Sequence, residues 1–216
     1  MLIDFEHAGS PVLIEGFDGD HITREIERTS EFYEIELLRY IGNLYRTGTT
    51  IDVGAFIGNH SVYFGMFTEA SKVIAVEPNP LAVEHLRRNI ESNNLCARVD
   101  VVQAAAGAIT GEVGIKQGRR RNRGHTVVVS GTDVILRTID DIVGDDEVSV
   151  LKVDVEGYEL EVLKDAGQLL SRQNPHVFAE ARSRSKKRLL DEHLGGLGYK
   201  PGLAFKNGAP VFSYRK

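Results

Sequence analysis

A single cysteine, Cys96, among 216 residues leaves no partner for an intrachain disulfide and no thiolate set for a zinc site. A reducing compartment fits that usage, and so does a secreted chain that makes no disulfides. No apolar run approaches the roughly 20 residues a membrane-spanning helix needs. The start, Met-Leu-Ile-Asp-Phe-Glu-His, has neither the basic end nor the apolar core of a signal peptide, so the expected location is cytoplasmic. Excess positive charge is missing too: 26 Lys and Arg against 31 Asp and Glu give a net charge of −5, which argues against a general nucleic-acid binder. There is no internal repeat and no low-complexity linker. What is present, 42% hydrophobic and 26% charged residues, is the composition of an ordinary globular protein long enough for one domain.

Apolar spacing sets the expected elements. Residues 11–17 read as a short strand, and Thr23 to about Arg46 as one amphipathic helix that Gly48 ends. Strands are predicted at Thr49–Val53, Lys72–Val76, Val99–Ala104, Val148–Val153 and His176–Ala179. Between them, helices are predicted at about Asn59–Glu69, Pro80–Asn93 and Glu159–Ser171. Buried strands alternating with helices imply a parallel sheet covered on both faces. Residues 107–145 interrupt the rhythm with two strands, 111–118 and 125–130, flanking a basic loop, and one helical turn at Thr138–Val143. After a helix at Ser185–Leu194, the chain closes with a hairpin turning at Asn207-Gly208. The expected α/β architecture is a single Rossmann-like domain: a mostly parallel seven-stranded sheet ending in an antiparallel hairpin, over residues 49–216. A strand and helix in residues 1–48 pack on that core, and a β-hairpin insertion occupies about 107–145.

The sharpest local signal is the strand-to-helix junction from Asp52 through Gly54, Ala55, Gly58 and Asn59 to His60. Glycines there permit a tight turn and a close approach to the backbone. The spacing is G-x-x-x-G, without the G-x-G-x-x-G that cradles a pyrophosphate on bare amides. An acid such as Asp52 beside the turn can receive the ammonium of an amino-acid-bearing cofactor, which favours S-adenosylmethionine over NAD. Glu77, in VIAVEPNP with Pro78 and Asn79, ends the next strand, where an acid accepts hydrogen bonds from both ribose hydroxyls. That feature suits either cofactor.

These segments resemble the FkbM-type methyltransferases from about Ser30 to Glu180. The resemblance rests on Phe32-Tyr33-Glu34, IDVGAFIGNHSVYF, VIAVEPNP, LRTIDDIV and, most specifically, LKVDVEGYELEVLKDAG. It implies a class I methyltransferase fold and O-methylation of sugars, polyketides or other small hydroxylated metabolites. It also places Tyr33 and Glu34 near the cofactor, and that fold holds the adenine edge at Gln103 and Ala104. Two positions depart from the family pattern: Phe56 stands where Asn is common, and Asp165 where Gly is common.

Methyl transfer is an in-line displacement, so the protein must position an acceptor and help remove its proton. Asp154, at the carboxyl end of the central strand, is the first candidate as general base, metal ligand or orienter. Glu156 and Glu180 are further candidates, against a helix-capping and a loop-holding role respectively. His60 is a base by chemistry or a local hydrogen-bonding residue by position. Mg²⁺ held by Asp154 and Glu180 is an alternative without a ligand motif of diagnostic spacing. Arg119, Arg120, Arg121 and Arg123 are either a solvated hairpin tip or a contact for an anionic acceptor. The expected function is O-methylation of a small-molecule or glycan hydroxyl. RNA methylation is favoured only by those arginines and lacks interleaved aromatics for base stacking. A third reading is an inactive cofactor-binding interaction module. No oligomeric state follows from the sequence.

Overall fold

The computed structural model describes residues 1–117, 126–206 and 209–216. The chain opens with an antiparallel hairpin of β1 (Leu2–His7) and β2 (Ser10–Glu15). Helices α1 (His21–Thr29) and α2 (Ile35–Gly42) follow. Then come β3 (Thr49–Val53), α3 (Asn59–Phe67), β4 (Lys72–Val76), α4 (Pro80–Ser92) and β5 (Val99–Val102). The insertion holds β6 (Ala105–Ala106), β7 (Gly111–Gln117), β8 (Thr126–Arg137) and α5 (Ile139–Val143). The remainder is β9 (Val148–Val153), α6 (Glu159–Asp165), α7 (Gly167–Arg172), β10 (His176–Glu180), α8 (Arg184–Gly196), β11 (Lys200–Phe205) and β12 (Val211–Arg215).

The central sheet has seven strands in the order β11-β12-β10-β9-β3-β4-β5. It is parallel from β10 to β5, while β12 pairs antiparallel with both β10 and β11. This is the predicted Rossmann-like sheet with its terminal hairpin; residues 207–208, assigned to the turn, lie outside the described residues. Alternation along the strands divides the core in two. Val73 and Ala75 of β4 face the side covered by α2, α3, α4 and the β1–β2 hairpin. Ile74 and Val76 face the side covered by α5 to α8. Two asparagines of the α4 region pin the hairpin down: Asn89 exchanges hydrogen bonds with the backbone of Glu15, and Asn93 with that of Leu13.

Several elements differ from the sequence reading. The helix expected over residues 23–46 is two helices. Thr29 and Ser30 are poor helix formers, and Ser30 adopts a left-handed φ of 50° that ends α1 with its N–H on Ile26 O. Phe32, Tyr33 and Glu34 therefore lie on the link between helices, with Glu34 itself at φ 58°. The helix expected at 159–171 breaks at Ala166 into α6 and α7. There Asp165, the family-atypical residue, accepts a hydrogen bond from Ile139 N and ties the break to α5. The third predicted strand stops at Val102, because Ala105–Ala106 joins β8 instead. The insertion is thus a three-stranded sheet, β6-β8-β7, and not a plain hairpin. The strand Leu2–His7 was missing from the sequence reading altogether.

Candidate active site

The carboxyl ends of β3, β4 and β9 meet around a cavity walled by Gly54, Glu77, Pro78, Ala104, Asp154 and Tyr158, among others. Open parallel sheets place ligands at this end. Gly54 has φ 83°, and a Cβ there would lie 1.8 Å from Asp154 O. A Cβ on Gly58, at φ 85°, would meet Leu86 Cδ1 at 2.4 Å. Gly54 is thus required by packing against backbone as well as by the turn, whereas at Gly58 the left-handed φ decides, since Leu86 Cδ1 is the movable end of a side chain. Gly54 N and Ala55 N both donate to Val76 O, which locks the loop to β4.

Glu77 is buried with one oxygen on Phe56 N and the other on Asn79 N, each at 2.9 Å. Burial pushes its carboxyl up to about 7 against those two donors. Pro78 lines the cavity. Asn79 turns its side chain to cap α4 through Leu81 N, so it positions Glu77 and the helix without facing the cavity. Ala104 is buried in the wall, but Gln103 is exposed and outside it, because β5 has already ended. The expectation that Gln103 holds an adenine edge is corrected accordingly.

A second, smaller cavity adjoins the first, lined by Tyr33, Glu34, Asn59, His60, Lys152 and Asp154, with Ala55 also in its wall. Asn59 grips the backbone of Tyr33 from both sides, accepting from its N–H at 3.1 Å and donating to its carbonyl at 3.2 Å. His60 Nε2 donates to the same carbonyl at 3.2 Å. Burial, then Lys152, pushes the His60 imidazole down to about 3. A ring so weakly basic and already committed to a carbonyl orients the Tyr33–Glu34 link, in place of the catalytic role considered from sequence. Glu34 Oε2 is buried and has no hydrogen-bond partner; His60 Nε2 stands 3.5 Å away. Burial, then Asp154, pushes the Glu34 carboxyl up to about 8.

Asp52 is placed differently from expectation. It is fully buried, with Oδ1 on Lys152 Nζ at 2.9 Å and Oδ2 on Ser61 Oγ at 2.7 Å. Burial opposes its ionisation, yet Lys152 holds the carboxyl below its ordinary range. It lines neither cavity, so direct pairing with a ligand ammonium is not what this geometry offers. Lys152 was missed, although a lysine inside the apolar run of β9 was a legible signal. Burial works against its charge, and Asp52 followed by Asp154 outweighs that, pushing the ammonium above its usual range.

Asp154 lines both cavities. Its carboxylate gathers with those of Glu159 and Glu180, whose oxygens lie within 4.8 Å of one another. Burial, then Asp154 and Glu159, raises the Glu180 carboxyl. Arg182 clamps this group: its Nε donates to Glu180 at 2.8 Å and its guanidinium pairs with Glu156. Glu156, at φ 59°, lines the larger cavity, and the N–H of Gly157 beside it is taken by Glu159 Oε1 at 2.7 Å. Arg119, Arg120, Arg121 and Arg123 lie outside the described residues. β8, which follows them in the chain, reaches the cavity through Thr126 and Val128.

Among proteins of known identity, methyltransferase sdnD of Sordaria araneosa is 26% identical over 57% of this chain and 62% of its own length. Hexuronic acid methyltransferase AglP of Haloferax volcanii is 31% identical over 57% of this chain and 52% of its own. The chain thus spans about half to three-fifths of these relatives. In structure, methyltransferase FkbM of Methylobacillus flagellatus matches with a TM-score of 0.61 at 22% identity, covering 88% of this chain and 52% of that one. Precorrin-6y C5,15-methyltransferase of Geobacter metallireducens matches at 0.56 and 15%, covering 92% and 91%. Those two likenesses show the class of fold. Residues 52–200, well over half the chain, match the methyltransferase FkbM domain, and to that family of methyltransferases the chain belongs.

Proposed function

We propose that this methyltransferase uses S-adenosylmethionine to methylate a hydroxyl on a sugar, a glycan or another small hydroxylated acceptor. The observation that carries the reading is that Asp154 faces both cavities at once. A carboxylate so placed can meet a cofactor on one side and an acceptor hydroxyl on the other.

The buried, unpartnered Oε2 of Glu34 gives the test of fit, since it offers a cation a desolvated acceptor that no protein donor occupies. Glu34 is the residue to receive the cofactor ammonium, the role first considered for Asp52. Each Glu77 oxygen takes one backbone N–H and keeps a lone pair for a ribose hydroxyl. Ala104 and Pro78 supply apolar wall for the base. Bound S-adenosylmethionine supplies an electrophilic methyl on a sulfonium. Asp154 withdraws the acceptor proton as the hydroxyl attacks, and Glu156 and Glu180 hold the cavity rim through Arg182. Lys152 stands close enough to Asp154 for the acid to help hold its ammonium charged.

The relative active on hexuronic acids makes acidic sugars the first acceptors to try. The test is transfer of labelled methyl from S-adenosylmethionine to separate pools of uronic-acid glycans, small metabolites and RNA. Label in the glycan or metabolite pool, stable to mild alkali, supports a methyl ether. Label lost in alkali marks a methyl ester and overturns O-methylation of a hydroxyl. Label confined to RNA overturns the acceptor class.

A further inference from the structure

We propose that the cleft at the amino end of β10 binds a phosphate-type oxyanion, the monoester or diphosphate group of a small molecule, at a site separate from methyl transfer. His176 and Glu180 are the first and last residues of β10, so this cleft and the acid cluster occupy opposite ends of one strand. The cleft encloses about 620 Å³ and is lined by Arg46, His176, Lys200, Arg215 and Lys216, together with the Gln173–Pro175 turn.

The sheet register creates the charge. Lys200 stands directly opposite Arg215 in the β11–β12 ladder, and Val177 opposite Tyr214 in the β10–β12 ladder. One step further along the second ladder sets His176 beside Arg215. Residues facing each other across antiparallel strands project to the same side, so Lys200, Arg215 and His176 form a row. Like charges in that arrangement repel, and no acidic side chain lines the cleft to relieve them. Arg46, from the segment between α2 and β3, adds a further cation to the same cleft. Among the described residues no carboxylate forms an ion pair with Arg46, Lys200 or Arg215.

A second observation points to a ligand independently. His176 is 8% exposed, and its buried Nδ1 has no hydrogen-bond partner. Burial, then Arg46 and Arg215, depresses its ring, which keeps it neutral and able to present one N–H to an acceptor-only group. Two guanidiniums, the Lys200 ammonium and one imidazole with no acidic side chain among them suit a multiply charged, acceptor-only oxyanion. No Phe, Tyr or Trp lines the cleft for a nucleobase to stack upon, which favours a small molecule over RNA.

The test is calorimetric titration of the whole protein with inorganic pyrophosphate at constant ionic strength. Saturable binding is expected, weakened about tenfold or more in the Lys200→Ala/Arg215→Ala double variant, as lost charge-assisted hydrogen bonds imply. Arg46→Ala, on a loop, carries the same test if the double variant does not fold, and should weaken binding several-fold. Absence of saturation beyond an NaCl-matched control overturns the proposal, as does binding that neither variant changes. Binding of a single-stranded RNA that pyrophosphate does not displace overturns the small-molecule reading.

Discussion

At the carboxyl end of the central sheet the charges are acids, and most are out of water: Glu34, Glu77 and Glu180 are all buried, with Asp154 between them. At the amino end, beside His176, the charges are bases, and Arg46, Lys200 and Arg215 are exposed. Water screens the second group, so its repulsion costs the fold little. The buried group must find counter-charges or hold protons. Asp52 takes the first course through Lys152, and Glu34 the second. A buried acid left holding a proton is one that a cationic ligand can ionise, and this separates a binding carboxylate, Glu34, from a structural one, Asp52.

The largest effect should come from the buried pair. Lys152→Met leaves Asp52 without its cation and should cost about 3–5 kcal/mol in urea unfolding. The exposed Lys200→Ala/Arg215→Ala change should stay within about 0.5 kcal/mol of the starting protein. Equal losses at the two ends would erase the distinction.

Next in size is Asp154→Asn. It should fold, bind cofactor and lose methyl transfer on the order of 10²-fold, since Asn cannot accept a proton. Near-normal turnover on a confirmed acceptor would remove Asp154 as base. Inhibition of the unmodified enzyme by EDTA, relieved by Mg²⁺, would assign the carboxylate cluster to a metal instead.

Glu34→Gln should weaken S-adenosylmethionine binding by roughly 10- to 100-fold, the loss of one charged hydrogen bond. The pH dependence has a fixed sign. The Glu34 carboxyl is raised from its ordinary 4.5 to about 8, so between these values the folded chain holds a proton that the unfolded chain has lost. Its contribution therefore makes the ligand-free protein less stable as pH rises from about 4.5 to 8, and Glu34→Gln should flatten that slope in a melting series. Binding near pH 7 should release a proton, seen as an enthalpy that varies with buffer, and the release should vanish in the variant. The smallest effect concerns Arg119, Arg120 and Arg121. Replacing all three by Ala should raise the KM of an acidic acceptor about threefold and reduce the salt sensitivity of the rate, leaving cofactor affinity alone. Unchanged kinetics would leave them a solvated tip.

The sheet was legible because strands buried on both faces write uninterrupted apolar runs, as Val73–Val76 of β4 does. The break at Ser30 was not, because apolar spacing continues through it into α2 and only the weak helix formers Thr29 and Ser30 mark it. Glu77 and Asp154, each the first residue after a strand end, line the cavity as strand-end acids can. Asp52 sits one residue inside the end of β3, and its side chain points to Lys152, a partner 100 residues away that local spacing does not reveal. Arg182 escaped for the same reason: its partners Glu156 and Glu180 come together only when β9 and β10 pair.

The most direct test of the account is calorimetric titration of the unmodified protein with S-adenosylmethionine, S-adenosylhomocysteine and NAD. The geometry around Glu34 and Glu77 predicts binding of the first two and much weaker binding of NAD, which brings ribose hydroxyls for Glu77 but no ammonium for Glu34. Comparable affinity for NAD would contradict it.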